Sequence, residues 1–181
     1  MGPATFLRST VITIAMLAAA SASAASDRDL TVSHRPARPV HFASSGPLNI
    51  SLVPTSASVL RIGSEIGFTV GTTAGGYASL YVLSASGKVQ LWMENVPIQA
   101  GHTMAYPMRG GIVRASPPAG DDQVLLVVTR TPFAGFSRGS VRSPLVLPYS
   151  HGSFRQALAA KTARFGSDDW ASTELTIRIE D

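Results

Sequence analysis

One short segment has the residue types of a serine hydrolase. Gly135-Phe136-Ser137-Arg138-Gly139 matches the G-x-S-x-G pattern, in which a serine nucleophile lies on a tight turn between a strand and a helix. In α/β-hydrolases an Asp or Glu lies between the serine and the histidine in the chain. Here His151 is the only histidine after Ser137, and no Asp or Glu lies between the two. We therefore expect no catalytic residues and a non-enzymatic protein. A small serine hydrolase that uses Ser137 and His151 is an alternative.

Metal chemistry is not expected either. The chain has no cysteine, which excludes disulfides, thiolate metal sites and a cysteine nucleophile. Its four histidines (His34, His41, His102 and His151) lack the i, i+4 or H-x-H spacing that presents two imidazoles to one metal ion. The adjacent pairs Asp121-Asp122 and Asp168-Asp169 suit turns or caps better than a calcium loop. The sequence predicts no metal site and no cofactor.

Basic residues are concentrated in one segment. Residues 130–164 contain six Lys and Arg and no Asp or Glu, whereas five of the eleven acidic residues fall in the last fourteen positions. Such a segment attracts an acidic partner, an anionic glycan or a lipid head group, although a solvated surface in an Arg-rich protein is the alternative. Nucleic acid is not expected, because no aromatic residues suited to base stacking accompany the charge. The partner-binding residues that we predict are Arg130, Arg138, Arg142, Arg155 and Arg164.

Four aromatic residues raise a different possibility. Tyr77, Tyr81, Trp92 and Trp170 lie on predicted strands and would suit a carbohydrate-binding face if their rings were exposed. Aromatic residues on alternating strands more commonly belong to the core, and a shift of one residue exchanges the two faces. A glycan-binding or cell-wall-binding module is therefore kept as an alternative function.

The N-terminus has the pattern of an export signal. Residues 1–24 contain Arg8, an apolar stretch from Val11 to Ala20, and the small-residue cleavage site Ala22-Ser23-Ala24. The stretch is too short to span a bilayer, and without cysteine no lipoprotein anchor can be attached. Residues 25–47 are rich in Pro, Ser and Arg and predict a flexible arm. We expect a periplasmic protein with a cleaved signal peptide and neither a transmembrane span nor a lipid anchor.

Residues 48–181 predict a single β-sandwich domain. Apolar and polar residues alternate with period two, and Gly and Pro separate the short runs. The Val124–Val128 run is apolar on both faces, as in a central strand that is covered on each side. Gly87 is placed to allow the tight turn of a hairpin. This spacing favours an immunoglobulin-like β-sandwich of about seven or eight strands.

The C-terminal part departs from this pattern. Residues 130–152 predict a long loop, and residues 153–165 predict a helix before the last strand. Ser153 and Gln156 have the spacing of a capping box, and Gly166 stands where a helix commonly ends. Phe154, Leu158 and Phe165 share one face of that helix.

Several turn and strand motifs occur in an order that resembles a known family. They are Gly76-Tyr77, Ser86-Gly87-Lys88-Val89, Ala100-Gly101 with Pro107, and Pro117-Pro118-Ala119-Gly120 before the strand that ends at Arg130. Over residues 48–132 the chain resembles the bacterial family catalogued as domain of unknown function 4384, as an exported single-domain member. The segment Met93–Pro97 departs from the Pro-Asn turn common in that family. The resemblance implies a β-sandwich module of exported or multidomain bacterial proteins and brings no catalytic residues. We therefore expect an accessory or interaction domain that binds an envelope protein, such as a component of a secretion complex.

Overall fold

A computed structural model of the chain describes residues 48–108, 110–137 and 144–181. The predicted signal peptide and arm, together with Arg138 and Arg142, lie outside the described residues. Within them the chain forms eleven strands and one helix. The elements are β1 (Ile50–Pro54), β2 (Val59–Arg61), β3 (Glu65–Ile66), β4 (Phe68–Thr72), β5 (Gly76–Leu83), β6 (Val89–Ile98), β7 (Thr103–Tyr106), β8 (Val113–Arg114), β9 (Gly120–Thr129), β10 (Leu145–Leu147), α1 (His151–Thr162) and β11 (Trp170–Glu180).

The fold is built mainly from two sheets, one of six strands and one of three. The larger has the spatial order β10-β6-β5-β9-β11-β2, antiparallel throughout apart from the parallel pair β11 and β2. The smaller antiparallel sheet has the order β1-β4-β7, and β3 pairs with β8. The two sheets share one apolar core. This arrangement confirms the predicted mainly β sandwich with one helix before the last strand.

The first core lies between the two sheets. Phe68 and Val70 of β4 meet Leu80 and Val82 of β5 and Leu126 of β9, and all five side chains are buried. Alternation along each strand sends every second residue to this side, as period two requires. Burial of these aliphatic and aromatic side chains is the main stabilising contribution to the sandwich.

A second core lies on the opposite face of the larger sheet. There Tyr81 of β5 and Leu125 and Val127 of β9 pack against Phe154 and Leu158 of α1. Strand β9 is therefore covered on both faces, which confirms the prediction from its continuous apolar run. The described residues form three layers, which are the smaller sheet, the larger sheet, and helix α1 with residues 133–137.

Helix α1 begins two residues before the predicted start. Its N-cap is Ser150, whose hydroxyl accepts the N–H of Ser153, while the Ser153 side chain interacts with the Ser150 backbone. The capping box thus uses Ser150 and Ser153, and the pairing of Ser153 with Gln156 was wrong. The helix ends at Thr162 with Ala163 as C-cap, so Gly166 lies in the following turn, where its carbonyl accepts the N–H of Asp169.

The predicted hairpin is confirmed in detail. Leu83 pairs with Val89, the Ser84 N–H donates to the Lys88 carbonyl at 2.9 Å, and Gly87 has a φ of 79°. The number of strands was underestimated, because β2 and β3 are two or three residues long and too short to show alternation, whereas β8 lies within the predicted short strand at residues 112–115. Strand β10 lies inside the segment that was predicted to be a loop throughout.

Candidate functional site

The serine of the G-x-S-x-G motif is bound to a carboxylate from a distant strand. The Ser137 hydroxyl donates to Glu94 of β6 at 2.5 Å, and the backbone N–H groups of Phe136 and Ser137 donate to the same carboxylate at 2.6 and 2.9 Å. A Cβ on Gly135 would overlap the Glu94 carboxylate, so the loop approaches closely only because residue 135 is glycine. The arrangement fastens the loop to the sheet.

A β-bulge explains why Glu94 faces this loop. Trp92 and Met93 are consecutive, yet both lie in the first core, and the pairing of β5 with β6 shifts register here. The irregularity resets the alternation, so Glu94 emerges on the helix side of the sheet. Asn95 follows with a φ of 51°, and its backbone N–H donates to the Ser79 hydroxyl at 3.0 Å.

Asn95 makes a second attachment to the same loop. Its side-chain amide donates to the Phe133 carbonyl at 2.9 Å, and its amide oxygen accepts the Phe133 N–H at 3.2 Å. Phe133 is buried in the second core. Glu94 and Asn95 therefore fix residues 133–137 over that core. Sequence reasoning found the unusual segment Met93–Pro97 but assigned it no contact.

Helix α1 fastens the loop from the other side. The Lys161 ammonium donates to the carbonyls of Ala134 and Gly135 at 2.7 and 2.9 Å. It also lies 4.8 Å from the centre of the Phe136 ring, a cation–π distance. The charge of Lys161 is thus engaged within the molecule.

Ser137 and His151, the residues of the hydrolase alternative, are not joined by a hydrogen bond through Nε2 of His151, the atom that would act as the base. Nε2 of His151 is buried and has no hydrogen-bond partner in the described part of the chain. The Ser137 hydroxyl instead donates to Glu94, which also receives a 3.4 Å hydrogen bond from the Tyr81 phenol. Burial raises the pKa of Tyr81 well above its ordinary value, and the Glu94 carboxylate raises it further. Tyr81 is therefore a neutral hydrogen-bond donor at physiological pH.

The predicted basic residues have different environments. Arg155 is paired with Glu174 at 2.7 Å and also donates to Gln123 at 2.9 Å. Arg130 is exposed, and Arg164 is exposed with its guanidinium 5.0 Å from the Phe165 ring. Arg138 and Arg142 lie outside the described residues. Of the three predicted arginines that the structure describes, Arg130 and Arg164 make no ion pair with another described residue.

The aromatic candidates contribute mainly to the core. Tyr81 is fully buried, and Trp92 is buried and stacks on Tyr106 with ring centres 5.4 Å apart. The Trp92 indole N–H donates to Gln90 at 2.9 Å. Tyr77 and Trp170 are half-buried. The rings of Tyr81 and Trp92 are therefore not presented to a sugar.

Strand β10 forms one edge of the larger sheet. It pairs with β6 on one side, and no strand of the described residues pairs with its other side. Two of its apolar side chains are exposed, Leu145 at 44% and Val146 at 57%. Val146 lies opposite Gln90 and therefore on the face that carries Trp92.

A cleft adjoins this edge. It has a volume of 280 Å³ and lies between Pro144, which precedes β10, the Gln90 and Trp92 positions of β6, and Ile112 beside β8. Ile112 is 62% exposed, so apolar atoms are accessible on both sides of the cleft. Arg114, Ser116 and Asp122 also line the cleft, so its lining is mixed polar and apolar. An exposed strand edge beside such a cleft is the form of a site that binds an extended peptide. Sequence reasoning placed β10 in a loop and missed this site.

Comparisons with protein-family models, with curated proteins and with solved structures give no match. The resemblance to domain of unknown function 4384 therefore stays a prediction. Over the described ranges, no helix is long and apolar enough to cross a membrane, and no group of three His, Asp or Glu residues is placed to hold a metal ion.

Proposed function

We propose that the protein is an exported, non-enzymatic interaction domain of the bacterial envelope that binds an extended segment of a partner protein at β10. The observation that carries this proposal is the edge of β10, with which no further strand of residues 48–108, 110–137 and 144–181 pairs, and its exposed Leu145 and Val146. Backbone groups at such an edge pair with an added strand, and neighbouring pockets select its side chains. The resemblance to domain of unknown function 4384 supports the same class of function.

The opposite edge of the larger sheet is less suited to strand addition. Strand β2 has one exposed valine, Val59, but also the exposed charge of Arg61. Charged residues at an edge discourage pairing with another chain. Strand β10 carries no charged residue and adjoins the cleft. Of the two edges of the larger sheet, the β10 edge is therefore better suited to pairing with a partner strand.

The sequence before β10 indicates the partner's chemistry. Arg138 and Arg142 precede β10 by a few residues, in the segment without acidic residues. An acidic segment with an apolar residue for the cleft beside Trp92 would complement this charge and shape. The proposed partner is therefore an envelope protein, with an exposed acidic strand or tail.

The contacts of Ser137 support a role without catalysis. Glu94 accepts three hydrogen bonds from Phe136 and Ser137, which suits a structural clamp on the loop. A serine nucleophile instead needs a general base within hydrogen-bond reach and a free path to a substrate. Loss of Ser137 should therefore affect stability and leave partner binding unchanged.

Photocrosslinking in intact cells tests the proposal. A photoreactive amino acid at position 146 should capture a defined envelope protein, identified by mass spectrometry. Position 59 is the matched control, because Val59 is an exposed valine on the opposite edge of the same sheet. Capture of the same proteins from both positions would overturn the assignment to β10.

Two charge-changing variants refine the test. Val146→Glu should abolish co-purification of the partner because it repels an acidic segment, whereas Val59→Glu should leave co-purification unchanged. Arg138→Glu with Arg142→Glu should weaken the purified complex, and added salt should weaken the wild-type complex. Binding that is insensitive to salt and to both Arg substitutions would remove the basic segment from the proposed site.

The proposed location has its own test. N-terminal sequencing of protein from the periplasmic fraction should begin at Ala25, after cleavage behind Ala24. Retention of residues 1–24 in the cytoplasmic fraction would contradict export.

A further inference from the structure

Helix α1 and the last strand enclose a small apolar groove, separate from β10. The groove has a volume of about 140 Å³ and is lined by Leu125, Leu158, Ala159 and the half-buried Trp170 ring. It exists because α1 packs on the sheet through the stripe of Phe154 and Leu158. Beside that stripe the helix lines the groove with Arg155, Ala159 and Thr162, and the small methyl group of Ala159 leaves space beside Trp170.

Arg155 and Trp170 bring hydrogen-bond donors with unused capacity to the groove, and the hydroxyl residues Thr162 and Ser172 line it as well. Nη2 of Arg155 carries both of this residue's hydrogen bonds, to Glu174 and Gln123. Nε and Nη1 of Arg155, and the indole N–H of Trp170, have no partner in the described ranges of the chain. Guanidinium and indole nitrogens donate and do not accept. A ligand that uses these nitrogens must therefore be an acceptor, and a carboxylate best matches a guanidinium.

The size of the groove limits the apolar part of the ligand. A cavity of about 150 Å³ lined by aliphatic and aromatic side chains holds one benzene molecule. The groove here is slightly smaller and open to solvent at one side, where Arg155 is partly exposed. A groove of this volume accommodates one six-membered ring.

We propose that this groove binds a small free carboxylic acid that carries one aromatic ring. The ring contacts Leu125, Leu158 and Trp170, and the carboxylate accepts from the unused nitrogens of Arg155. The site uses α1 and β11, so it is independent of strand addition at β10.

The chain has two tryptophans, which makes the test direct. The probe is 3-phenylpropionate, added to the purified protein while the two indole N–H resonances are followed by NMR. The Trp170 resonance should shift saturably with a dissociation constant of about 1 mM or tighter. Trp92 is the internal reference, because its indole is already bonded to Gln90 inside the sandwich. The neutral analogue 3-phenylpropanol should bind at least about tenfold more weakly.

Three variants test separately how the groove binds the aromatic ring and how Arg155 binds the carboxylate. Ala159→Phe fills the groove from an exposed helix position and should abolish the shift of Trp170 while Trp92 is unchanged. Glu174→Gln removes the carboxylate that competes for Arg155 and should tighten binding about threefold to tenfold. Glu174→Gln combined with Arg155→Gln leaves no unpaired charge and should weaken binding about tenfold or more relative to Glu174→Gln alone.

Either of two results would overturn the proposal. One is the absence of a Trp170 shift at roughly 10 mM 3-phenylpropionate, a concentration about ten times the expected dissociation constant. The other is an equal shift in Ala159→Phe or with 3-phenylpropanol, which would show that neither the groove nor the carboxylate is recognised.

Discussion

Glu94 and Lys161 hold opposite ends of the peptide group that joins Gly135 to Phe136, and each also holds one neighbouring peptide group. The Glu94 carboxylate accepts the N–H groups of Phe136 and Ser137, and the Lys161 ammonium donates to the carbonyls of Ala134 and Gly135. The anion and the cation thus act on one loop from a strand and from a helix. The loop in turn covers the second core, so its position links the sheet to α1.

Substitution of Glu94 should release this loop at a measurable cost. Glu94→Gln keeps the shape but places an N–H₂ group against one of the loop donors, so we expect a loss of about 1.5–3 kcal/mol in the free energy of unfolding. Urea denaturation measures it. Glu65→Gln is the control, because the ion pair of Glu65 with Arg114 is exposed and should be worth less than about 0.5 kcal/mol. Equal effects of the two substitutions would show that Glu94 does not clamp the loop.

Gly135 should be the least tolerant glycine of the loop. Gly135→Ala places a methyl group against the Glu94 carboxylate, and we expect destabilisation of about 1–3 kcal/mol. Gly152→Ala is the matched control, because a Cβ there meets no atom within 4 Å and alanine favours the helix by roughly 0.5–1 kcal/mol. Thermal unfolding should therefore show opposite shifts of the melting temperature.

A second variant identifies the cause of that cost. In a Glu94→Ala background the methyl group at position 135 has no carboxylate to overlap. Gly135→Ala should therefore lower the free energy of unfolding much less than it does in the wild type. An unchanged cost would locate the strain in the backbone of the loop and contradict the proposed contact.

The sandwich could be predicted from the sequence because its strands show their periodicity directly. Val124–Val128 is apolar on both faces, and the structure covers it on both faces. The Gly87 hairpin needed only local turn chemistry. These features depend on neighbouring residues, so they are visible without knowledge of the tertiary structure.

The loop clamp and the β10 edge could not be predicted in the same way. Alternation along β6 would place Glu94 with Gln90 and Trp92, and only the bulge turns it to the other face. The charge of Arg155 looked free because its partner, Glu174, lies outside the segment without acidic residues. Each of these outcomes depends on contacts between residues that are distant in the sequence.

Two substitutions distinguish the observed capping box of α1, Ser150 with Ser153, from the predicted one, Ser153 with Gln156. Ser150→Ala removes the hydroxyl that accepts the Ser153 N–H and should cost about 0.5–2 kcal/mol. Gln156→Ala changes the residue first assigned to the capping box, which is exposed in the helix, and should be within about 0.5 kcal/mol of the wild type. Chemical denaturation of the two variants measures the difference. A larger cost for Gln156→Ala would restore the original assignment.

Glu94 and Lys161 should be energetically coupled although the loop lies between them. Lys161→Met keeps the apolar stem and removes two hydrogen bonds, so alone it should cost about 0.5–1.5 kcal/mol. If residues 133–137 are released as one unit, the second substitution removes contacts that the first has already broken. The variant Glu94→Gln with Lys161→Met should then be more stable than the sum of the single effects predicts, by at least about 0.5 kcal/mol in a double-mutant cycle. Additive losses would mean that the two residues hold the loop independently, and that its two halves move separately.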